Sequence, residues 1–106
     1  MPAEGFQHAF AQNAPDDVKA ITASVQRPIA VRCIQEPAPK PLWKSKPSWF
    51  LIAEEDRMIS PKTQRFMAER MAAKVRIHPV DHTPLLTAPE VVVGIIREAA
   101  CETLTC

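Results

Sequence analysis

The sequence predicts an α/β fold centred on one βαβα unit, and three observations carry that prediction. The short apolar run Ser48-Trp49-Phe50-Leu51-Ile52-Ala53 has the length and aromatic, branched content of a buried β-strand. A second run, Lys74-Val75-Arg76-Ile77-His78-Pro79-Val80, has the same character. Between them, Pro61 to about Ala73 reads as a single helix, the shortest kind of crossover that joins two parallel strands.

The elements before this unit are helical. Asn13-Ala14-Pro15-Asp16 reads as a helix start, with Asn13 as cap, Pro15 early in the first turn and Asp16 near the positive end of the dipole. Val18, Ile21 and Val25 then fall on one face, and Pro28 ends the helix near Gln26. Phe6, Ala9 and Phe10 suggest a shorter preceding turn. Residues 28–32 read as a short extended piece. Pro37, Pro39, Pro41 and Pro47 then exclude regular structure, with Trp43 expected to anchor the segment. Lys40, Lys44 and Lys46 make this stretch basic. No glycine-rich or RNP-like pattern accompanies them, so a solvated connector is preferred to a phosphate or nucleic-acid patch.

Ser60 caps the crossover helix, with Pro61 in its first turn. Phe66, Met67 and Met71 are its expected buried stripe, the methionines as core filler and not as ligands. Thr87-Ala88-Pro89-Glu90 reads as a capping box that starts the last helix. Val92, Ile95, Ile96 and Ala99 form that helix's apolar face to about Ala100. The tail 101–106 carries no pattern and is expected to fray.

A chain of 106 residues is one domain at most. Lys and Arg number 13 against 12 Asp and Glu, a net charge of +1, so there is no electrostatic case for nucleic acid or an acidic membrane. Proline outnumbers glycine 11 to 2. Tight anion-binding loops need glycine, and neither Gly5 nor Gly94 flanks a serine or lysine. Cys33, Cys101 and Cys106 are odd in number and widely spaced, without a CxxC. That argues against a disulfide framework or a zinc site and for a reducing, cytoplasmic setting. The N-terminus lacks the basic-then-apolar pattern of a signal peptide, and no apolar run approaches a membrane span.

Asp56 and His82 each follow a predicted strand, at the sheet edge where parallel sheets build their sites. Their separation fits one crossover. A carboxylate at Asp56 can accept from an imidazole N–H and fix its tautomer. On pattern alone the competing readings stand: Asp56 as a solvated loop acid with Arg57 pairing one of Glu54, Glu55 or Asp56, and His82 as an exposed loop histidine paired with Asp81. His78 lies inside a strand, and His8 has no partner nearby in sequence.

A longer run of residues resembles the C-terminal part of an α/β-hydrolase, of the small cofactor-free bacterial esterase type. The matching stretches are Gln26-Arg27-Pro28, Leu42-Trp43-Lys44, Pro47-Ser48-Trp49-Phe50, Glu55-Asp56-Arg57-Met58-Ile59, Gln64-Arg65-Phe66-Met67-Ala68-Glu69-Arg70, Asp81-His82-Thr83-Pro84 and Ala88-Pro89-Glu90-Val91-Val92. The resemblance implies that 48–100 is the βαβα end of the hydrolase core, that 33–47 is a proline-rich connector, and that 1–32 is what remains of the helical cap. It implies Asp56 as triad acid, His82 as triad base, no cofactor or metal, and a small ester-like substrate in the full-length enzyme. Ala53 stands where the family often has glycine.

The family's nucleophile elbow, G-x-S-x-G, is missing from these residues. Ser24, Ser45, Ser48 and Ser60 have no flanking glycines, and the surroundings of Cys33 offer nothing to activate a thiol. The expectation is therefore a truncated or separate hydrolase segment that is inactive alone, with marginal stability, self-association or dependence on a complementary half. The alternative from another class is a non-catalytic small α/β module that binds a protein partner. Dehalogenation or perhydrolysis on the same scaffold would be decided by the nucleophile.

Overall fold

A computed structural model describes residues 2–104, for Ala3 the backbone alone. Its centre is a parallel pair of strands, β1 (Trp49–Ala53) and β2 (Lys74–His78), in register from Trp49 opposite Lys74 to Ala53 opposite His78. Helix α2 (Pro61–Arg70) is the crossover, and helix α3 (Pro89–Thr103) follows β2 after a short turn at Pro84–Thr87. Before the sheet come a π-helical turn at Phe6–Phe10 and helix α1 (Asp16–Ser24). The order β1, α2, β2, α3 and the parallel pairing make this an α/β chain with a small sheet.

Alternation along β1 divides its side chains between two helices. Leu51 and Ala53 face α3, in a cluster with Val80, Ala88 and Val91. Trp49, on the same side, donates from Nε1 to Glu98 at 3.3 Å. Ile52 points the other way and is buried beneath α2. Phe6, Ala11 and Ala14 form a separate small core that Phe10, Val18 and Ala23 cover.

Helix α2 starts as its sequence dictates, with Ser60 Oγ accepting from the Thr63 amide. It ends in a Schellman turn: Ala72 donates to Glu69 and Ala73 to Ala68, with Ala72 held at φ 49°. Its buried positions are Gln64 and Ala68, one turn apart. Phe66, expected in the stripe, is 63% exposed, because α2 meets the sheet along the 64–68 line and Phe66 lies off it. Ile96 of α3 is likewise exposed.

Other local expectations need correction. Asn13 caps no helix; α1 begins after Pro15 without a side-chain cap. Thr87 does not cap α3, whose first turn follows Ala88. Both residues are engaged elsewhere, as described below. Of the short extended piece expected at 28–32, residues 28–30 carry no regular structure and Arg32 already belongs to a helical turn. The connector holds single helical turns at Arg32–Gln35 and Leu42–Lys44, each fitted between prolines. Trp43 does pack on the body, stacked by Arg70 with 5.6 Å to the ring centroid. Residues 101–103 of the expected tail continue α3, where Glu102 pairs with Lys74; Thr105 and Cys106 lie outside the described residues. Cys101 is disulfide-bonded, contrary to the reading of the cysteine spacing, and Cys33 is a free, exposed thiol. Among the described residues no helix is long and apolar enough to cross a membrane.

The free edge of β1 decides where the site lies. Lys74 donates to the Ser48 carbonyl and Glu54 to the His78 carbonyl. In a parallel ladder the even-numbered backbone groups of β1 therefore face β2, and those of Trp49, Leu51 and Ala53 face outward.

Candidate functional site

Asp56 and His82 meet at the carboxyl end of the sheet. Glu54 and Glu55 continue the pairing beyond β1, donating to His78 and Val80 carbonyls, so the acid loop and the histidine loop are stitched side by side. His82 Nδ1 lies 2.9 Å from Asp56 Oδ2. With the proton on Nδ1 this is an imidazole-to-carboxylate hydrogen bond, and Nε2 is left without a hydrogen-bond partner among the described residues. The Asp56 side chain is 6% exposed and that of His82 27%, so the carboxylate is shielded while the ring remains reachable.

Local turns fix the acid. Asp56 Oδ1 accepts from the amides of Met58 at 2.8 Å and Ile59 at 2.9 Å, an Asx-type turn that only a short side-chain acceptor can make. Burial pushes its carboxyl up, but the Ile59 amide, the His82 ring and the Met58 amide outweigh that, and the net effect holds it below the ordinary aspartate value. It is therefore ionised wherever the fold persists near neutrality.

Gln64, on the buried face of α2, was not singled out by the sequence reading. Its Nε2 donates to Asp56 Oδ2 at 3.2 Å and to the Ile59 carbonyl at 2.8 Å. The same amide pairs with both backbone groups of Ala53. It thus closes the outward edge of β1 at the point where the acid loop leaves. The signal was available, since Gln64 sits in the first turns of a helix that starts right after the acid loop.

Asp81, the partner that pattern alone offers His82, is engaged elsewhere. It is fully buried, and its Oδ1 accepts from the Thr83 amide at 2.9 Å, the Thr83 hydroxyl at 3.1 Å and the Thr87 hydroxyl at 2.7 Å. Its Oδ2 accepts from the Asn13 amide at 3.0 Å. Arg57 pairs with no acid in its loop and instead donates to the His8 carbonyl. His78 is half-buried and lines a separate, larger groove of about 390 Å³ whose Arg76 and Glu98 bind each other.

Beside the pair, along the outward edge of β1, is an open cavity of about 270 Å³. Phe50, Leu51, Ile59, Met67 and Pro84 give it an apolar wall, and Asp56 and His82 also line it. No serine reaches it. Ser24, Ser45 and Ser48 donate to carbonyls of their own turns, and Ser60 is occupied in the α2 cap. Among the described residues no group of His, Cys, Asp and Glu is arranged to hold a metal ion.

The arrangement can accept a proton at His82 Nε2 and stabilise the resulting imidazolium with a buried carboxylate. Nothing among the described residues supplies a nucleophile or paired oxyanion donors beside it. Among known proteins, the family model described as the alpha/beta hydrolase family matches residues 1–95. A search of curated proteins finds no match.

Proposed function

The chain belongs to the alpha/beta hydrolase family, and from that premise we propose that it is the C-terminal segment of an ester-type acyl hydrolase, carrying the acid and base of the triad. His82 takes the proton of a serine that these residues do not contain, then returns it to the leaving group. Asp56 holds the ring by Nδ1 and stabilises its charged form. Residues 1–32 are the end of the cap, and 48–100 close the hydrolase core. The substrate class is a small ester. Its acyl group occupies the apolar cavity beside β1, and the serine comes from the side on which the Trp49 and Leu51 backbone groups stand unpaired.

The single observation that supports this reading most is the 2.9 Å contact between His82 Nδ1 and Asp56 Oδ2, with Nε2 left open beside the cavity. A solvated loop acid and an exposed loop histidine would have no reason to meet through an Asx turn and a buried glutamine. The same reading makes the chain inactive alone, because nucleophile and oxyanion donors are both wanting. Even an intact oxyanion hole leaves only ~10³–10⁴-fold residual catalysis once a triad member is lost.

Reconstitution tests it. The chain is mixed with the upstream half of a related hydrolase that carries a G-x-S-x-G elbow and ends before its own acid. The expected result is ester turnover and fluorophosphonate labelling of the supplied serine, both lost with His82→Ala. Turnover equal in the wild type and His82→Ala would contradict the assignment of His82, and turnover by the chain alone that His82→Ala abolishes would contradict its inactivity in isolation.

A second reading, a binding module without catalysis, draws on the outward edge of β1 and the exposed Ile21, Ile29, Phe66, Ile77 and Leu85. On that reading the chain forms a discrete, cooperatively melting species with a protein partner. The reconstituted mixture then shows assembly without turnover.

A further inference from the structure

Residues 6–14 lie across both motif loops, although they are far from them in sequence. The Arg57 guanidinium holds the His8 carbonyl at 2.7 Å. Gln12 Nε2 donates to the Glu55 carbonyl at 2.6 Å, and Asn13 Nδ2 to the Glu55 carboxylate at 2.7 Å. The Phe10 ring stands against the His82 ring, centroids 5.1 Å apart. The segment is stiffened from behind by its own small core, with Phe6 buried at 2% exposure. It touches the acid loop through Gln12 and Asn13 and the histidine itself through Phe10.

Asp81 is what joins this segment to the histidine loop. Its two oxygens divide the work. Oδ1 gathers Thr83 and Thr87, which sets the turn that follows His82. Oδ2 reaches back to the Asn13 amide. A carboxylate with 0% exposure and no salt-bridge partner among the described residues is costly unless both oxygens are hydrogen-bonded; here three donors reach Oδ1, and the Asn13 backbone N–H is the one that reaches Oδ2. A mere turn-forming aspartate would use one oxygen and leave the other to solvent. Here the second oxygen is spent on a chain segment 68 residues away in sequence.

We propose that Asp81 is a positioning residue that latches the 6–14 segment over the Asp56–His82 pair, making Phe10 the wall that shields the His82 ring from water. The inference rests on the reading of Asp56 and His82 as acid and base, and deepens it: the segment is part of the site. Shielding matters because the Asp56–His82 hydrogen bond is strongest where bulk water is kept off it.

Asp81→Asn tests the latch. The amide oxygen can still take the Thr83 and Thr87 donors, but its NH₂ then faces the Asn13 N–H, donor against donor. In NMR spectra of the full chain, the expected result is loss of the Phe10–His82 ring cross-peak. Exchange of the Asn13 amide and of the His82 Nδ1 proton should quicken by roughly tenfold or more, with β1 and β2 amides still protected. Phe10→Ala, which leaves Asp81 untouched, should quicken the Nδ1 proton alike while Asn13 stays protected. An unchanged Nδ1 proton lifetime in Phe10→Ala overturns the proposal even where Asp81→Asn fails to fold. So does a persistent Phe10–His82 cross-peak in a folded Asp81→Asn. Neither readout needs a nucleophile, so the catalytic reading stands or falls separately, on the His82→Ala reconstitution.

Discussion

Gln64 grips Ala53 as a neighbouring strand would, accepting from its N–H at 2.9 Å and donating to its carbonyl at 3.3 Å. One side chain thereby ends the exposed edge of β1, and the same Nε2 reaches Asp56. The end of the strand and the position of the acid are fixed by one residue of α2.

Gln64→Leu keeps the volume and removes every one of these bonds. The Ala53 backbone, buried at 6% exposure, is left unpaired, and stability should fall by about 3 kcal/mol in urea titrations. Gln64→Glu should also destabilise at pH 7, since a carboxylate cannot donate to the Ala53 and Ile59 carbonyls and faces Asp56. That loss should shrink as acidification protonates the new carboxyl. A Gln64→Leu chain as stable as the wild type would show the amide to be dispensable.

Asp56 makes stability depend on pH in a defined direction. Its folded value lies below the unfolded one, near 3.9. The stabilisation is therefore complete above that value and is lost as pH falls through it toward the folded value. Urea midpoints from pH 6 to pH 2 should drop more steeply for the wild type than for Asp56→Asn. Parallel curves would mean that the carboxylate gains nothing on folding.

Thr87 and Glu90 separate two readings of the same four residues. A capping box requires both side chains, whereas in the structure Thr87 Oγ1 serves Asp81 at 2.7 Å and α3 begins after Ala88 without a side-chain cap. Thr87→Val should cost about 2 kcal/mol, the worth of a part-buried hydrogen bond to a carboxylate. Glu90→Ala should stay within about 0.5 kcal/mol. Equal losses on thermal or urea unfolding would restore the capping box.

Ala72 sits at φ 49°, where a Cβ is disfavoured. Ala72→Gly should raise stability by about 1 kcal/mol, an increase readable as a higher urea midpoint. A loss would mean that the Schellman turn tolerates alanine without strain.

Much of the βαβα unit was legible because its signals are local. Strand runs flanked by charged loops gave β1 and β2 within a residue or two, and Ser60-Pro61 gave the start of α2. The positions of Asp56 and His82 followed from the sheet, since parallel strands joined by one crossover end on the same side. What stayed hidden depends on long-range pairing. Asn13 and Thr87 look like helix caps because Asn and Thr favour caps, but the Asn13 side chain is held by Glu55 and the Thr87 hydroxyl by Asp81, a hub invisible in the sequence. Gln64 reads as a polar helix residue, and only the free edge of β1 shows why it is buried. Phe66 follows helical spacing yet faces outward, because periodicity gives a stripe and not the element that covers it.

The claim that Asp56 prepares His82 as a base is tested most directly by the ¹⁵N spectrum of the His82 ring, taken where the ring is neutral. The expected result is a proton on Nδ1, a bare Nε2, and a mixture of tautomers once Asp56 is replaced by asparagine. A proton on Nε2 in the wild type, or an identical spectrum in Asp56→Asn, would contradict it.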